Sequence, residues 1–271
     1  MKGFILGMLA ETPVHPGAGQ SHTGIDQPVA REATTGFPVI PGSGLKGALR
    51  DKAEQEQPEI VDEVFGNSES AGGVGITDAR ILLLPIRSLT GHYRWITCPY
   101  LLERYQRDLQ LIGGSFEFPE LPGIDQGKIL TADEADTIFL EELSFEPIPV
   151  PQVMETVAGH LSFLIKHESV KNRLVRQLAI LHDDDFSHFA HFGLPIQARN
   201  QLENGTKKSQ NLWFEETLPP DTLLYSLILE RPGKGEGVLE KIKDHLKRHP
   251  YLQAGGNETV GQGWLITAVK A

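Results

Sequence analysis

Residues 12–45 carry 11 Gly or Pro in 34 positions. They follow directly on an apolar run, residues 2–10, that reads as a buried strand. Proline fixes φ and removes a backbone donor, and glycine frees the chain for turns, so regular structure is excluded from most of this stretch. A connection of that length inside a compact domain is either functional or disordered. The aromatic and β-branched residues scattered through it favour an ordered, functional loop. Whatever the chain folds into, its first strand is joined to the rest by a long shaped loop.

Regular elements resume after the loop. Ser43 is placed to cap a helix from Leu45 to Gln57, with Leu45, Ala48, Leu49 and Ala53 on its apolar face and Pro58 beyond its end. Asp78–Ser88 and Tyr93–Thr97 read as strands. Pro99 opens a helix to Ile112 that turns Leu101, Leu102, Tyr105 and Leu109 inward. Ser169–Leu181 reads as an amphipathic helix with Val170, Leu174, Leu178 and Leu181 inward. Leu194–Phe214 contains Asn204-Gly205, a hairpin signal between two plausible arms. Thr222–Glu230 is a strand, Glu236–Arg248 a helix stopped by Pro250, and Trp264–Val269 a closing strand. The order is strand, long loop, helix, strand, then insertions, then strand, helix, strand. It predicts an α+β fold, an antiparallel sheet with helices on one face.

Charge narrows the function classes only after it is divided. The chain has 25 Lys+Arg and 36 Asp+Glu, a net charge of −11. Residues 117–146 hold nine acids and one base, Lys128, and leave the rest near neutrality at −3. That segment reads as loop with a short strand near Thr137–Leu140 and is expected to face away from any polyanion. The remainder can still present basic patches. No apolar run approaches the roughly 18 residues of a spanning helix, so no membrane is expected. The first ten residues read as a strand and not as a signal peptide. Cys98 is the single cysteine, so intrachain disulfides are excluded and a cytoplasmic setting is expected.

Three stretches carry candidate chemistry. The first places His15, His22, Asp26 and Arg31 in the loop, with Lys46 and Arg50 four apart on one helix face. An anion between Lys46 and Arg50, helped by Ser43, Gly44 and the free N–H groups of the first helical turn, is one reading. A solvated face with Arg50 paired to Glu54 is the other. The second stretch, Gly255–Trp264, concentrates glycine at Gly255, Gly256, Gly261 and Gly263. It serves close approach by a ligand phosphate or a tight turn before the last strand. The third, His182 with Asp183, Asp184 and Asp185, then His188 and His191, invites a metal site but matches no metal motif. A polar loop after a helix explains it better.

The stretches His15–Gly19, Gly24–Glu32 and Thr35–Arg50, together with Gly255–Trp264, resemble the RAMP proteins. The resemblance is strongest to the repeated backbone subunit of type III-B CRISPR (Cmr) effector complexes. Asp78–Ser88, Arg104–Leu109, Leu212–Glu216 and Asp221–Leu229 extend it over nearly the whole chain. It implies a single RAMP domain over 1–271: a modified RRM-like (ferredoxin-like) palm, a helical finger insertion and a thumb hairpin, for which 194–214 is the candidate. It implies binding to CRISPR guide RNA and to complementary single-stranded target RNA, with other copies of the chain and other Cmr subunits as partners. It further implies endoribonuclease cleavage of the target at regular intervals, with a divalent cation, Mg or Mn.

By that resemblance Asp26 is the catalytic residue and metal ligand, and His15 and Glu215 support it. Thr217 stands where relatives carry a tyrosine. Lys46 and Arg50 contact the guide backbone. Arg31, Ser43, Gly255, Gly256, Gly261, Gly263, Lys207 and Lys208 complete the expected RNA-binding set. Leu202, near the tip of the hairpin, could wedge between bases. The rival readings are a structural RNA-binding subunit that does not cut, and a standalone CRISPR-RNA-processing RAMP.

Overall fold

The computed structural model describes residues 1–20, 24–233 and 237–270. His22 and the expected helix start at Glu236 lie outside the described residues. The chain runs through β1 (Gly3–Ala10), β2 (Val39–Ile40), α1 (Gly42–Glu56), α2 (Val61–Phe65), β3 (Val74–Ile76), β4 (Ala79–Arg87) and β5 (Tyr93–Thr97). Next come α3 (Pro99–Leu111), β6 (Lys128–Thr131), β7 (Ile138–Leu140), β8 (Leu143–Pro149), α4 (Pro151–Leu161) and α5 (Glu168–Gln177). Then follow β9 (Leu178–Leu181), α6 (Asp183–Phe192), β10 (Ile196–Leu202), β11 (Ser209–Glu216), β12 (Leu223–Glu230), α7 (Val238–Arg248), β13 (Tyr251–Gln253) and β14 (Trp264–Lys270).

The sheet order is β13-β14-β1-β12-β4-β5-β9-β6-β8-β7, with β2 added to β4 and β3 to β12. Its inner part, β14-β1-β12-β4, is antiparallel throughout. With α1 between β1 and β4, and α7 between β12 and β14, it is the ferredoxin-like arrangement that the sequence order predicted. Everything from β5 to β11 is inserted between β4 and β12. The acidic stretch falls on β6, β7 and β8, at the opposite end of the strand order from β13.

Three expectations need correction. The sheet is not wholly antiparallel, because β5–β9 and β6–β8 are parallel pairs. Nor are helices confined to one face. Phe4 to Ala10 are all buried, the pattern of a strand covered on both sides. The second face is closed by inserted residues: the short 3₁₀ turn Ser162–Leu164 packs so closely on β1 that only glycine fits at position 7. Third, the helix expected over 169–181 stops at Gln177. Leu178–Leu181 leave it as β9 and pair with β5 and β6. Shortening that helix also reverses the meaning of the acids after it. Asp183, Asp184 and Asp185 form the first turn of α6, where they complement the helix dipole, and the His182 ring caps it by accepting from Asp184 N at 3.1 Å.

The hairpin is where the Asn-Gly signal put it. β10 and β11 form a separate two-stranded sheet whose residues are mostly exposed. Its turn is wider than the dipeptide. Glu203 and Lys208 close it through Glu203 N to Lys208 O at 2.8 Å, and positive φ falls at Gly205 and Lys207. Ile196, Leu202, Leu212 and Phe214 are exposed apolar residues along its arms.

A Cβ at Gly7 would lie 2.4 Å from Leu164 O, whereas a Cβ at Gly47 on α1 meets nothing within 4 Å. Gly7→Ala is therefore expected to destabilise the chain by about 1–3 kcal/mol. Gly47→Ala should stabilise it by about 0.5–1 kcal/mol by removing a helical glycine. Urea unfolding of the two variants checks both signs, and a Gly7→Ala protein as stable as the parent would contradict this packing.

Candidate functional site

Two consecutive glutamates end β11, and neighbouring strand residues point to opposite sides. Both are nonetheless buried, at 1% and 2% exposure for Glu215 and Glu216. Buried carboxylates survive only with charged or N–H partners. Glu216 has both kinds. Arg31 donates to its Oε1 at 2.6 Å and Val29 N to its Oε2 at 3.0 Å. Arg31 in turn donates to the carbonyls of Gly36 at 3.0 Å and Ala190 at 2.7 Å. Glu215 accepts from Arg199 Nε at 2.8 Å and from the Asn257 side-chain amide.

His15 joins the same cluster. Its Nδ1–H donates to Glu216 O at 2.8 Å, and that nitrogen is 3.8 Å from Glu215 Oε1. The network thus ties together the long loop, the foot of the hairpin and the glycine-rich loop. The main chain reinforces it, with Gln27 N bonded to Phe214 O and Glu216 N to Gln27 O, each at 3.0 Å. Gly256 N donates to His15 O at 2.9 Å and Gly263 N to Pro13 O at 2.8 Å. A Cβ at Gly255 would lie 2.6 Å from His15 O. Gly255 therefore serves close approach by the chain's own His15 and Gly263 close approach by the Ala254 carbonyl, and Gly261 is exposed with nothing against it.

Asp26 differs from its neighbours. It is exposed, its Oδ2 accepts from Phe214 N at 2.8 Å, and its Oδ1 has no hydrogen bond among the described residues. It lines an open cleft of about 360 Å³ with Gln20, Gln27, Gln201, Asn211, Leu212 and Trp213. His15 and Glu215 are not in that lining. The structure separates the expected catalytic three: Asp26 faces the cleft, while His15 and Glu215 lie in the buried network beneath it, where they can position but not touch a ligand. Thr217 is buried too, its backbone N–H on Pro195 O at 3.0 Å.

The expected RNA-binding residues divide in the same way. Arg31 spends its guanidinium on the protein, as described. Arg50 pairs with Glu54 at 2.7 Å and reaches Gly66 O at 2.9 Å, which is the solvated-face reading. Ser43 is not a cap. It is exposed within the first turn of α1, whose Gly42 N–H already donates to Asp78 Oδ1 at 2.6 Å. Lys46 on α1, and Lys207 and Lys208 at the hairpin tip, have no ion-pair partner among the described residues. The sequence places Arg199 beside the hairpin and Glu216 and Asn257 within the matched stretches, but gives none of the three a role at the site. The positive φ of 63° at Asn257 was hinted at by its glycine neighbours, but the Arg31–Glu216 pair spans 185 positions without any local signal.

An interrupted ferredoxin-like palm, a glycine-rich loop before the last strand and a carboxylate loop held against a hairpin describe one class of protein. The chain belongs to the RAMP superfamily, whose family model matches residues 8–266. Within it, the chain is 36% identical to the "CRISPR system Cmr endoribonuclease Cmr4" of Pyrococcus furiosus, over 100% of this chain and 96% of that protein. A crystal structure of oligomeric Cmr4 from Pyrococcus furiosus superposes with a TM-score of 0.80 at 32% identity, covering 100% of this chain and 98% of that one. A chain of a type III-B Cmr-beta complex bound to cognate target RNA shares the fold, with a TM-score of 0.80 at 21% identity, over 99% and 97% of the two chains.

Glu216→Ala leaves Arg31 and the Val29 N–H without their partner, and removal of one member of a buried pair costs about 3–5 kcal/mol. Glu54→Ala removes only the exposed partner of Arg50 and should cost less than about 1 kcal/mol. Thermal unfolding of both variants is the check, and similar losses for the two would count against the network as the anchor of the site.

Proposed function

We propose that this chain is a backbone subunit of a type III-B CRISPR-RNA-guided effector complex, acting in the cytoplasm as a single RAMP domain. It lies along the guide RNA beside other copies of itself and other Cmr subunits. It cuts complementary target RNA at regular intervals with Asp26 as the catalytic residue. The observation that carries the reading is Asp26 Oδ1, without a hydrogen bond among the described residues, at the rim of an open cleft and at the foot of an exposed hairpin with lysines at its tip. The similarity to an endoribonuclease over the whole chain supports it. Among the described residues no helix is long and apolar enough to cross a membrane.

The chemistry follows from the geometry of RNA. A stacked strand keeps the 2′-hydroxyl out of line with the scissile bond, and a splayed nucleotide brings it into line. The exposed Leu202 and Leu212 give the hairpin an apolar wedge, at a cost of a few kcal/mol per unstacked step. Asp26 then accepts the 2′-hydroxyl proton as the 2′-oxygen attacks phosphorus and the 5′-oxygen leaves. A positioned base contributes about 10²–10⁴-fold. The Phe214 N–H holds the other oxygen and fixes the carboxylate's direction, and the Glu215–Glu216 network fixes Phe214. Lys46, Lys207 and Lys208 suit the phosphate backbone, since pairing with the guide reads the sequence.

Asp26 is the one acid at the cleft, which fits the habit of magnesium of taking one or two carboxylates and completing its shell with water and substrate phosphates. A Mg or Mn ion held through Asp26 Oδ1 would take the place of the proton-accepting role of that oxygen and would neutralise charge developing on the phosphate.

Asp26→Asn keeps the bond from Phe214 N but loses basicity and charge. Cleavage of a guide-complementary RNA by the assembled complex should fall at least about 10²-fold, with assembly by size-exclusion chromatography unchanged. Cutting at the parental rate would move catalysis to another residue.

Trimming β10 and β11 symmetrically around the turn should leave the palm folded, because the core strands lie elsewhere, and should reduce cleavage with Asp26 intact. A trimmed complex that still cuts at the same regular positions would deny the hairpin its role as the thumb.

A further inference from the structure

His245 near the end of α7 and His249, the residue just past it, hold their rings side by side with centroids 5.2 Å apart. Glu56, the last residue of α1, meets them, and the three ligand atoms lie within 4.8 Å of one another. Glu56 Oε2 is 3.6 Å from His245 Nε2 and 3.5 Å from His249 Nδ1. In a tetrahedral zinc site with bonds of about 2.0–2.2 Å, neighbouring ligand atoms stand about 3.3–3.6 Å apart. Both spacings from Glu56 are those of coordination, and the third lies within 4.8 Å.

His245 supplies a second, independent observation. It is fully buried. Its Nδ1 is 3.2 Å from Gln57 Oε1, an oxygen that also accepts from Arg248 at 2.9 Å. A guanidinium only donates, so that atom is the amide oxygen and His245 Nδ1 must bear the proton facing it. In the neutral ring Nε2 is then a bare lone pair. Among the described residues it has no hydrogen-bond partner, and it faces the Glu56 carboxylate. Two acceptors at that distance repel, and a cation shared between them turns repulsion into bonding. The Nδ1–H bond to Gln57 is also the outer contact that fixes the tautomer and direction of a ligating histidine.

We propose that Glu56, His245 and His249 form a binding site for a transition-metal dication of the zinc type, with a fourth position open to solvent. Two imidazoles and a carboxylate suit zinc better than magnesium or calcium. Three protein ligands with an open position are the pattern of reactive zinc sites, not of closed structural ones. Glu56 and His249 line a cleft of about 320 Å³ with Asp51, Lys52, Tyr251 and Trp264, which gives the metal an approach and its fourth ligand room. Lys52 Nζ, 2.9 Å from the Glu56 carboxylate, balances that acid and competes with a dication for it. None of the three ligands lines the cleft of Asp26, so this site is separate from the one that cuts RNA.

The test uses the full chain without an affinity tag, stripped with chelator and titrated with Zn²⁺ by calorimetry and with Co²⁺ by visible absorption. One equivalent per chain is expected, with a rise in Tm on adding Zn²⁺. His249→Ala and Glu56→Gln should each weaken Zn²⁺ at least tenfold, and Lys52→Met should strengthen it. A His188→Ala, His191→Ala double variant should bind as the parent does. The melting temperatures of the stripped variants separate loss of the site from loss of the fold, and the near-isosteric Glu56→Gln keeps the test open if His249→Ala folds poorly. Failure of the parent chain to take up an equivalent, or unchanged affinity in both His249→Ala and Glu56→Gln, overturns the proposal.

Discussion

Carboxylates at positions 215 and 216, taken out of water at the foot of an exposed hairpin, cannot stay charged there unless other segments come to them. Glu216 draws in Arg31 and the Val29 backbone from the long loop. Glu215 draws in Arg199 from the other arm and Asn257 from the glycine-rich loop. A two-stranded ribbon is marginal by itself in water. Here it acquires a rigid base, because the loop pairs with β11 through Gln27 and through the bond from Phe214 to Asp26. The site is therefore a consequence of how the hairpin is rooted, and the Asp26 carboxylate owes its direction to a network of buried charges beneath it.

The division of labour between buried and exposed groups follows the same logic. His15 and Glu215 accompany Asp26 in the sequence resemblance, yet burial withholds them from a ligand. Arg31 has the right charge for a phosphate but is committed to Glu216 and two carbonyls. Among the described residues Lys46, Lys207 and Lys208 have no ion-pair partner and stay available to a polyanion, while Asp26 presents a carboxylate oxygen to the cleft. Charge alone could not have made this distinction, and the partners of each charge make it at once.

The palm was legible in the sequence because its elements are local and well bounded. α7 has a strong apolar face and Pro250 after it, and Tyr93–Thr97 alternates into a strand with a proline close behind. The insertion was less legible. Leu178–Leu181 continues the apolar face of α5, and only the remote strands β5 and β6 convert it to a strand. A short apolar run of that kind reads equally as helix or sheet. That one misreading hid α6, since acids placed after a helix look unfavourable and acids opening the next one do not. Family resemblance points to Asp26, His15 and Glu215. The Arg31–Glu216 pair that braces them has no local signal, because it closes over nearly two hundred residues and no periodicity records it.

The position of β1 in the sheet also sets a timetable. Its neighbours are β12, through Gly3↔Leu229 to Leu9↔Leu223, and β14, through Ile5↔Lys270 to Ala10↔Leu265. Both lie more than 200 residues further along the chain. At a synthesis rate of about 5–20 residues per second, β1 leaves the ribosome roughly 10–40 seconds before a strand exists to pair with it. Throughout that interval β1 has an open edge on each side, although the Ser162–Leu164 turn that packs on Gly7 is made early enough to cover one face. Its edges must be sheltered by chaperones or by transient contacts. The strand is made long before its two neighbours and is among the last parts finished.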